Sequence, residues 1–454
     1  MKFLLAGYGG LVLTVKPDEV DNWKEYCRLT GREADLLVLE PGGAHRFNFL
    51  DYEAACASSE DTVTEALAEV LKTVVRAGET QDAGRSDEAF WESALDMLIF
   101  NVLDLCRLAH GRISVQAMYD VVMSIPKKDE PVSPGPEAEK TSVFHRAFEA
   151  ARQNVTRRID DWFEGLPPQE KERLKDDALF EEALLEALPQ ARLLKFLDQF
   201  FVDNYINLSE KTRSIIDFMF SGFLFRLLRE PVYSLFCRHA STLTPDDCLK
   251  GKIILVNLPV KHYQKLGRDC QLLVKYVWQR AMERRDVTKN GRPVFLWADE
   301  AQHFLHEHDA IYQATARSSR IATVYITQNL PNYYAAMGGQ KAEYRVKSFL
   351  GTLNTKLFFC NQDADTNRYA SELIGDAFFE DQTESVTVAQ NFSQTRGKSL
   401  KLERLVRPEA FAKLKTGGPL NHHRVEAYFY LQGDGVLGGR NYLKMTFNQN
   451  YRPQ

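Results

Sequence analysis

The chain has 454 residues, 44% of them hydrophobic and 26% charged. That length suits two or three domains at about 100–200 residues each, and the balance excludes a disordered, collagen-like or disulfide-scaffold chain. The formal charge of −5 conceals a gradient, with −4 over residues 1–60, −10 over 61–250 and +9 over 251–454.

Residues 1–13 hold one lysine, a glycine pair inside an apolar run and no small-residue cleavage site. They read as a buried strand rather than a signal peptide. A β-rich run over 11–15, a helix-like segment over 20–30 and a second apolar run over 35–39 alternate in the manner of a mostly parallel, buried sheet. Between about 59 and 250 the texture changes to helical periodicity with charged faces, broken by a Pro/Glu/Lys/Ser-rich linker at 126–140. Within this block the Met and aromatic stripe from Phe218 to Phe225 reads as helical core. At eight residues it is too short to span a bilayer, which needs about 20. After Lys252 strands return at 253–258, 294–298, 322–327 and 356–360, with a helix over 263–285 between the first two. Strands at 425–432 and 442–447 form an antiparallel tail. The sequence predicts three parts: 1–58 as the first part of an α/β core, 59–250 as an all-α domain and 251–454 as the second part of the core.

The seven cysteines, at 27, 56, 106, 237, 248, 270 and 360, form no C-x-x-C pair. An odd, scattered set points to reduced thiols in a cytosolic compartment. The basic last third allows a polyanion-binding surface, although solvated Lys and Arg explain it equally well.

The sharpest motif is Val294-Phe295-Leu296-Trp297-Ala298-Asp299-Glu300, an apolar strand with two carboxylates at its C-terminal edge, where open α/β sheets bind ligands. In nucleotide-hydrolysing motors such an Asp holds Mg²⁺ and a neighbouring carboxylate polarises the attacking water. A strand ending in a solvated turn is the plain alternative. Arg317 and Arg320 precede the next core strand, which ends in Thr327-Gln328-Asn329. A guanidinium there can stabilise a transferring phosphoryl group across a subunit boundary, and an amide can sense the phosphate. The glycine-rich stretch Gly7-Tyr8-Gly9-Gly10 lacks the lysine and hydroxyl of a phosphate loop, and no G-x-x-x-x-G-K-[ST] occurs in the sequence. His303, His306 and His308, with Glu307 and Asp309, form a second cluster. It reads as the polar start of a helix or, with imidazoles three apart, as a Zn²⁺ or Mn²⁺ site.

Taken in order, several of these segments resemble the coupling-protein ATPases of conjugation and type IV secretion, the TraG/TraD-like branch of the FtsK/HerA superfamily. The resemblance rests on residues 9–19, Arg46-Phe47-Asn48-Phe49-Leu50-Asp51, Phe90-Trp91-Glu92, residues 251–259, the Asp299-Glu300 strand and Tyr325-Ile326-Thr327-Gln328. It implies a RecA-like P-loop NTPase-type core with a mostly parallel sheet, interrupted by a large all-α insertion. The family's ATP and Mg²⁺, its hexameric ring and its ATP-driven movement of DNA toward a secretion channel follow as expectations. So do a relaxase or relaxosome accessory protein and secretion-channel components as partners, and single- or double-stranded DNA as substrate. The implied location is the cytoplasm, at the inner face of the bacterial inner membrane. Carried over by position, Asp299 looks like the Walker B Mg²⁺ carboxylate and Glu300 like the catalytic base. Gln328 looks like the phosphate-coupling residue, with Arg317 the first and Arg320 the second candidate for a finger acting in trans.

Family members carry the phosphate loop and its helix just before the strand at 11–15, and this sequence starts inside that helix. The expectation is a natural start upstream, because Asp299, Glu300, Arg317 and Gln328 are all retained. Two further readings stay open: a non-catalytic pseudo-ATPase that docks DNA or relaxase, and a metal-dependent nuclease built on Asp299, Glu300 and the histidines.

Overall fold

A strand buried on both faces must be apolar throughout, and β1 (Gly9–Leu13) is buried at every residue. Strands β2 (Leu36–Leu39) and β3 (Ile253–Val256) follow, and β3 pairs in parallel with both β1 and β2. With β4 (Val294–Ala298) and β5 (Ile321–Tyr325) they form a five-stranded sheet in the order β2-β3-β1-β4-β5. This computed structural model describes residues 1–58, 62–78, 88–128, 142–306, 308–338, 342–388, 392–433 and 437–450.

The chain divides into two units, one comprising Gly7–Lys24 and Ala34–Phe295, the other Met1–Ala6, Glu25–Glu33 and Leu296–Gln454. In the former, β1 is drawn tight against its surroundings by its glycines. A Cβ at Gly9 would collide with the Cys248 carbonyl, and one at Gly10 would lie 2.6 Å from the Phe295 ring. The fully buried Gln271 amide accepts from the Thr14 N–H at 2.6 Å and donates to the Thr14 and Leu258 carbonyls at 2.8 Å. It thereby pairs backbone groups just beyond β1 and β3 that would otherwise be buried unsatisfied. Every described element from the helix at Phe49–Cys56 to the turn at Pro245–Lys250 is helical. The segments Ser59–Asp61 and 129–140, which include most of the expected linker, lie outside the described residues.

The other unit carries the carboxylate end of β4 together with β5. It also holds a sheet of β6 (Thr355–Phe359), β9 (Arg424–Leu431) and β10 (Tyr442–Asn448), paired antiparallel in the order β10-β9-β6. Ala370, Ile374, Val406, Phe411 and Leu414 form a buried cluster packed by Phe358 and Tyr428. A long antiparallel hairpin, β7 (Asp376–Val388) and β8 (Phe392–Arg404), completes the unit.

Four expectations are corrected. The run over 1–13 is not one strand: Lys2–Leu5 is a short helix, and the strand begins at Gly9. The run at 356–360 is a strand, but it joins the antiparallel sheet with β9 rather than the core sheet. Its alternating exposure is that of a strand with one solvated face. The Phe218–Phe225 stripe is not uniformly core: Phe220 and Leu224 are buried, whereas Phe218 is 78% and Phe225 44% exposed. The helical period of 3.6 turns 220, 224 and 227 to one face and 218 and 225 to the other. The helix expected over 263–285 spans Val260–Arg284 and is broken at Gln264, which takes φ 50° and ψ −130°.

Candidate functional site

Four apolar residues of β4 are fully buried, and the chain leaves the strand at Asp299 and Glu300, both half-buried. Glu300 adopts the left-handed conformation, φ 47° and ψ 51°, a costly geometry for a residue with a Cβ and one that clusters at functional sites. The turn is pinned by Ala301 N–H donating to the Ile326 carbonyl at 2.7 Å and Ile326 N–H donating to the Ala298 carbonyl at 3.0 Å. The ends of β4 and β5 are thereby held in register with their side chains converging.

At that edge the Glu300 carboxylate lies between two amides. Gln328 Nε2 donates to one oxygen at 2.7 Å, and Gln302 Nε2 donates to the other at 2.8 Å. Gln302 is itself fixed by Thr327, whose hydroxyl donates to Gln302 Oε1 at 3.0 Å. The Gln328 carbonyl accepts from Asn361 Nδ2 at 2.6 Å. The two amide N–H groups fix the direction of the carboxylate, since an ionised Glu offers only acceptors. Asp299 turns one oxygen back to accept from the Glu300 N–H at 2.9 Å.

Behind the turn, Asp309 is 1% exposed and accepts from the His306 N–H at 2.7 Å and the Tyr325 hydroxyl at 3.0 Å. Burial and the Asp309 carboxylate push the Tyr325 phenol well above its ordinary range. Burial, with Asp309 and Glu300 nearby, does the same to Tyr333. Both hydroxyls therefore stay protonated as donors at neutral pH.

The structure thus joins Glu300 and Gln328 directly, with Asp299 adjacent. Arg317 and Arg320 sit exposed in the turn that follows the Asp309 helix, Arg320 at φ 51° with its N–H donating to the Arg317 carbonyl. In the histidine cluster, His306 Nδ1 accepts from the His308 N–H at 3.2 Å. Glu307 lies outside the described residues. Among the described residues no group of three or more His, Cys, Asp or Glu is placed to hold a metal ion. Gln302 is the participant that sequence reasoning missed. Its only signal is a polar residue two positions after the carboxylate, in the turn Ala301–His303.

Residues 293–416 match the family model described as the TraM recognition site of TraD and TraG. No curated protein matches the chain by sequence. Among solved structures, the unbound bacterial conjugative coupling protein TrwBΔN70 matches with a TM-score of 0.58 at 12% identity, over 99% of this chain and 80% of that one. The plasmid coupling protein TrwB bound to the non-hydrolysable ATP analogue ADPNP matches at 0.57 and 12%, over 100% and 80%. TrwB with ADP and Mg²⁺ matches at 0.54 and 11%, over 99% and 81%. At these identities the likeness is one of fold. No described helix is long and apolar enough to cross a membrane.

Proposed function

From a chain that is TraG/TraD-like over residues 293–416 and carries the coupling-protein fold along its length, we propose a type IV coupling subunit that moves DNA toward a secretion channel at the expense of ATP. In this reading relaxase or a relaxosome accessory protein delivers the DNA, and identical subunits assemble as a hexameric ring. The observation that carries it is the Glu300 carboxylate held by Gln328 and Gln302 at the edge of β4 and β5. TrwB, of the same fold, is described with an ATP analogue and with ADP and Mg²⁺.

Mg²⁺, when bound, would neutralise charge on the nucleotide phosphates. Asp299 would hold its water shell through the carboxylate oxygen not engaged by Glu300. Glu300 would orient a water and accept its proton, a role that needs a half-exposed carboxylate already fixed in direction. Gln328 bonds Glu300 at one end of its residue and Asn361 at the other, so a phosphate that displaced its amide would be felt along the strand end. Arg317 is exposed, as a finger reaching a neighbouring subunit must be, with Arg320 as the second candidate.

One observation favours a docking subunit that binds DNA or relaxase without turnover. Gly9 and Gly10 are used for close packing against Cys248 and Phe295, and the stretch Gly7-Tyr8-Gly9-Gly10 contains no lysine. ATP hydrolysis by the protein from its native host, with and without DNA, separates the readings. DNA-stimulated turnover that disappears in Glu300→Gln supports the motor. DNA or relaxase binding with no turnover supports docking. A motor also requires Arg317→Ala to lose turnover but bind ATP, and to regain activity when mixed with Glu300→Gln subunits, because each variant spoils a different side of a shared site. Absence of rescue removes Arg317 from a trans role.

A further inference from the structure

The helical block is acidic as a whole, with 23 basic against 33 acidic side chains over residues 61–250, yet it contains a basic cavity. This cavity, of about 660 Å³, is lined among the described residues by Arg107, Arg112, Arg157 and Arg158 and by two acids, Asp51 and Asp161. Leu50, Leu108, Ile113 and Val155 form part of its apolar wall. Apolar walls with a few convergent charged groups, at this size, are the usual make-up of a binding pocket.

The two sides of the cavity are built differently. Arg112 is held by Asp51 through bonds of 2.9 and 3.3 Å. Arg107, whose side chain is 19% exposed, lies 3.5 Å from Asp104. Burial raises the Asp104 carboxyl above its ordinary range. On the opposite wall Arg157 and Arg158 are consecutive and exposed on the Val143–Glu164 helix. The feature that would repel an anion is covered: at the carbonyl end of the Glu88–His110 helix, Leu108 O and Ala109 O both accept from Asn154 Nδ2 at 3.0 Å.

We propose that this cavity is the docking site for a short acidic segment of a partner protein, its carboxylates paired with the guanidiniums and an apolar side chain set against Leu108 and Val155. Arginine forks suit carboxylates, and the apolar wall would be left empty by a bare phosphate chain. A nucleic acid extending beyond the cavity would meet the acidic surface of the block, whereas a short peptide engages the basic cavity alone. The proposal does not depend on nucleotide turnover.

The test uses the full chain and a short fluorescein-labelled peptide of glutamate and leucine, read by fluorescence anisotropy. Binding is expected to weaken with added salt and to fall at least about tenfold, or about 1.4 kcal/mol, in the double variant Arg157→Glu/Arg158→Glu. Arg112→Gln, on the opposite wall, is expected to weaken it in the same direction. Both positions are exposed, and an unchanged far-UV spectrum shows that the variants are folded. Unchanged affinity in both variants overturns the proposal. Equal binding of a peptide with glutamine for every glutamate overturns it too, as does arginine-dependent displacement by a single-stranded oligonucleotide, which would make the cavity a nucleic-acid site.

Discussion

Two glutamates organise two regions of this molecule in opposite ways. Glu53 is wholly buried, and its carboxylate is gripped by Arg284 at 2.9 and 3.1 Å, with Arg280 at 3.5 Å. Glu300 is half-buried and touched by two neutral amides. A buried carboxylate must be paired with cations to remain charged, and the pairing fixes its place. At Glu300 the two amides fix the direction of the carboxylate. On the proposed function, the difference separates a carboxylate that ties helices together from one placed to act on a water, although both are glutamates beside long polar side chains.

The largest effect that tests this contrast is on turnover. Glu300→Gln keeps the shape of the site and removes the proton acceptor. DNA-stimulated ATP hydrolysis is expected to fall about a thousandfold, equivalent to about 4 kcal/mol. The unfolding midpoint is expected to stay within about 0.5 kcal/mol of the parent, as for a half-exposed conservative change. A large loss of stability with turnover retained would place Glu300 in the same class as Glu53.

The converse holds at Glu53. Glu53→Gln leaves the Arg284 and Arg280 guanidiniums facing a neutral amide. Its cost is expected to be about 3 kcal/mol, at the low end for breaking a buried pair because the Arg284 side chain is 34% exposed. Urea unfolding measures it, and the KM for ATP of the folded fraction is expected to be unchanged. A Glu53→Gln protein of full stability would mean that the arginines hold nothing together.

The same contrast explains what could be read from the residues alone. The apolar run of β4 followed by Asp299-Glu300 was legible because burial on both faces demands continuous hydrophobicity, so the polar residues after it must lie at an edge. Gln328 was legible for the same reason at the end of β5. Gln302 was not, because its place depends on the left-handed backbone at Glu300, a conformation that no local pattern announces. The β7–β8 hairpin was also missed. Phe378, Phe379, Leu400 and Leu402 are all exposed and are interspersed with charged residues, so its strands lack the apolar/polar alternation of a sheet with one buried face. The histidines formed a metal-like spacing in sequence, but the turn uses the His306 backbone and Nδ1 as a hydrogen-bonding strut.

Gln302 supplies the smallest and most discriminating prediction. It links Glu300 to the Thr327 hydroxyl, so Gln302→Ala removes two hydrogen bonds at a cost of about 1 kcal/mol each at most. On the proposed function, the expected result is a roughly fivefold to tenfold fall in kcat with the KM for ATP unchanged, because the amide would act only by orienting Glu300. Thr327→Val is expected to give a smaller fall, and the double variant to be little worse than Gln302→Ala alone, since both act through one chain of bonds. In a Glu300→Gln background neither change should matter further. Additive losses in the double variant, or a further loss in the Glu300→Gln background, would mean that Gln302 acts on something other than the carboxylate. The two amides around Glu300 would then be packing and not a cradle.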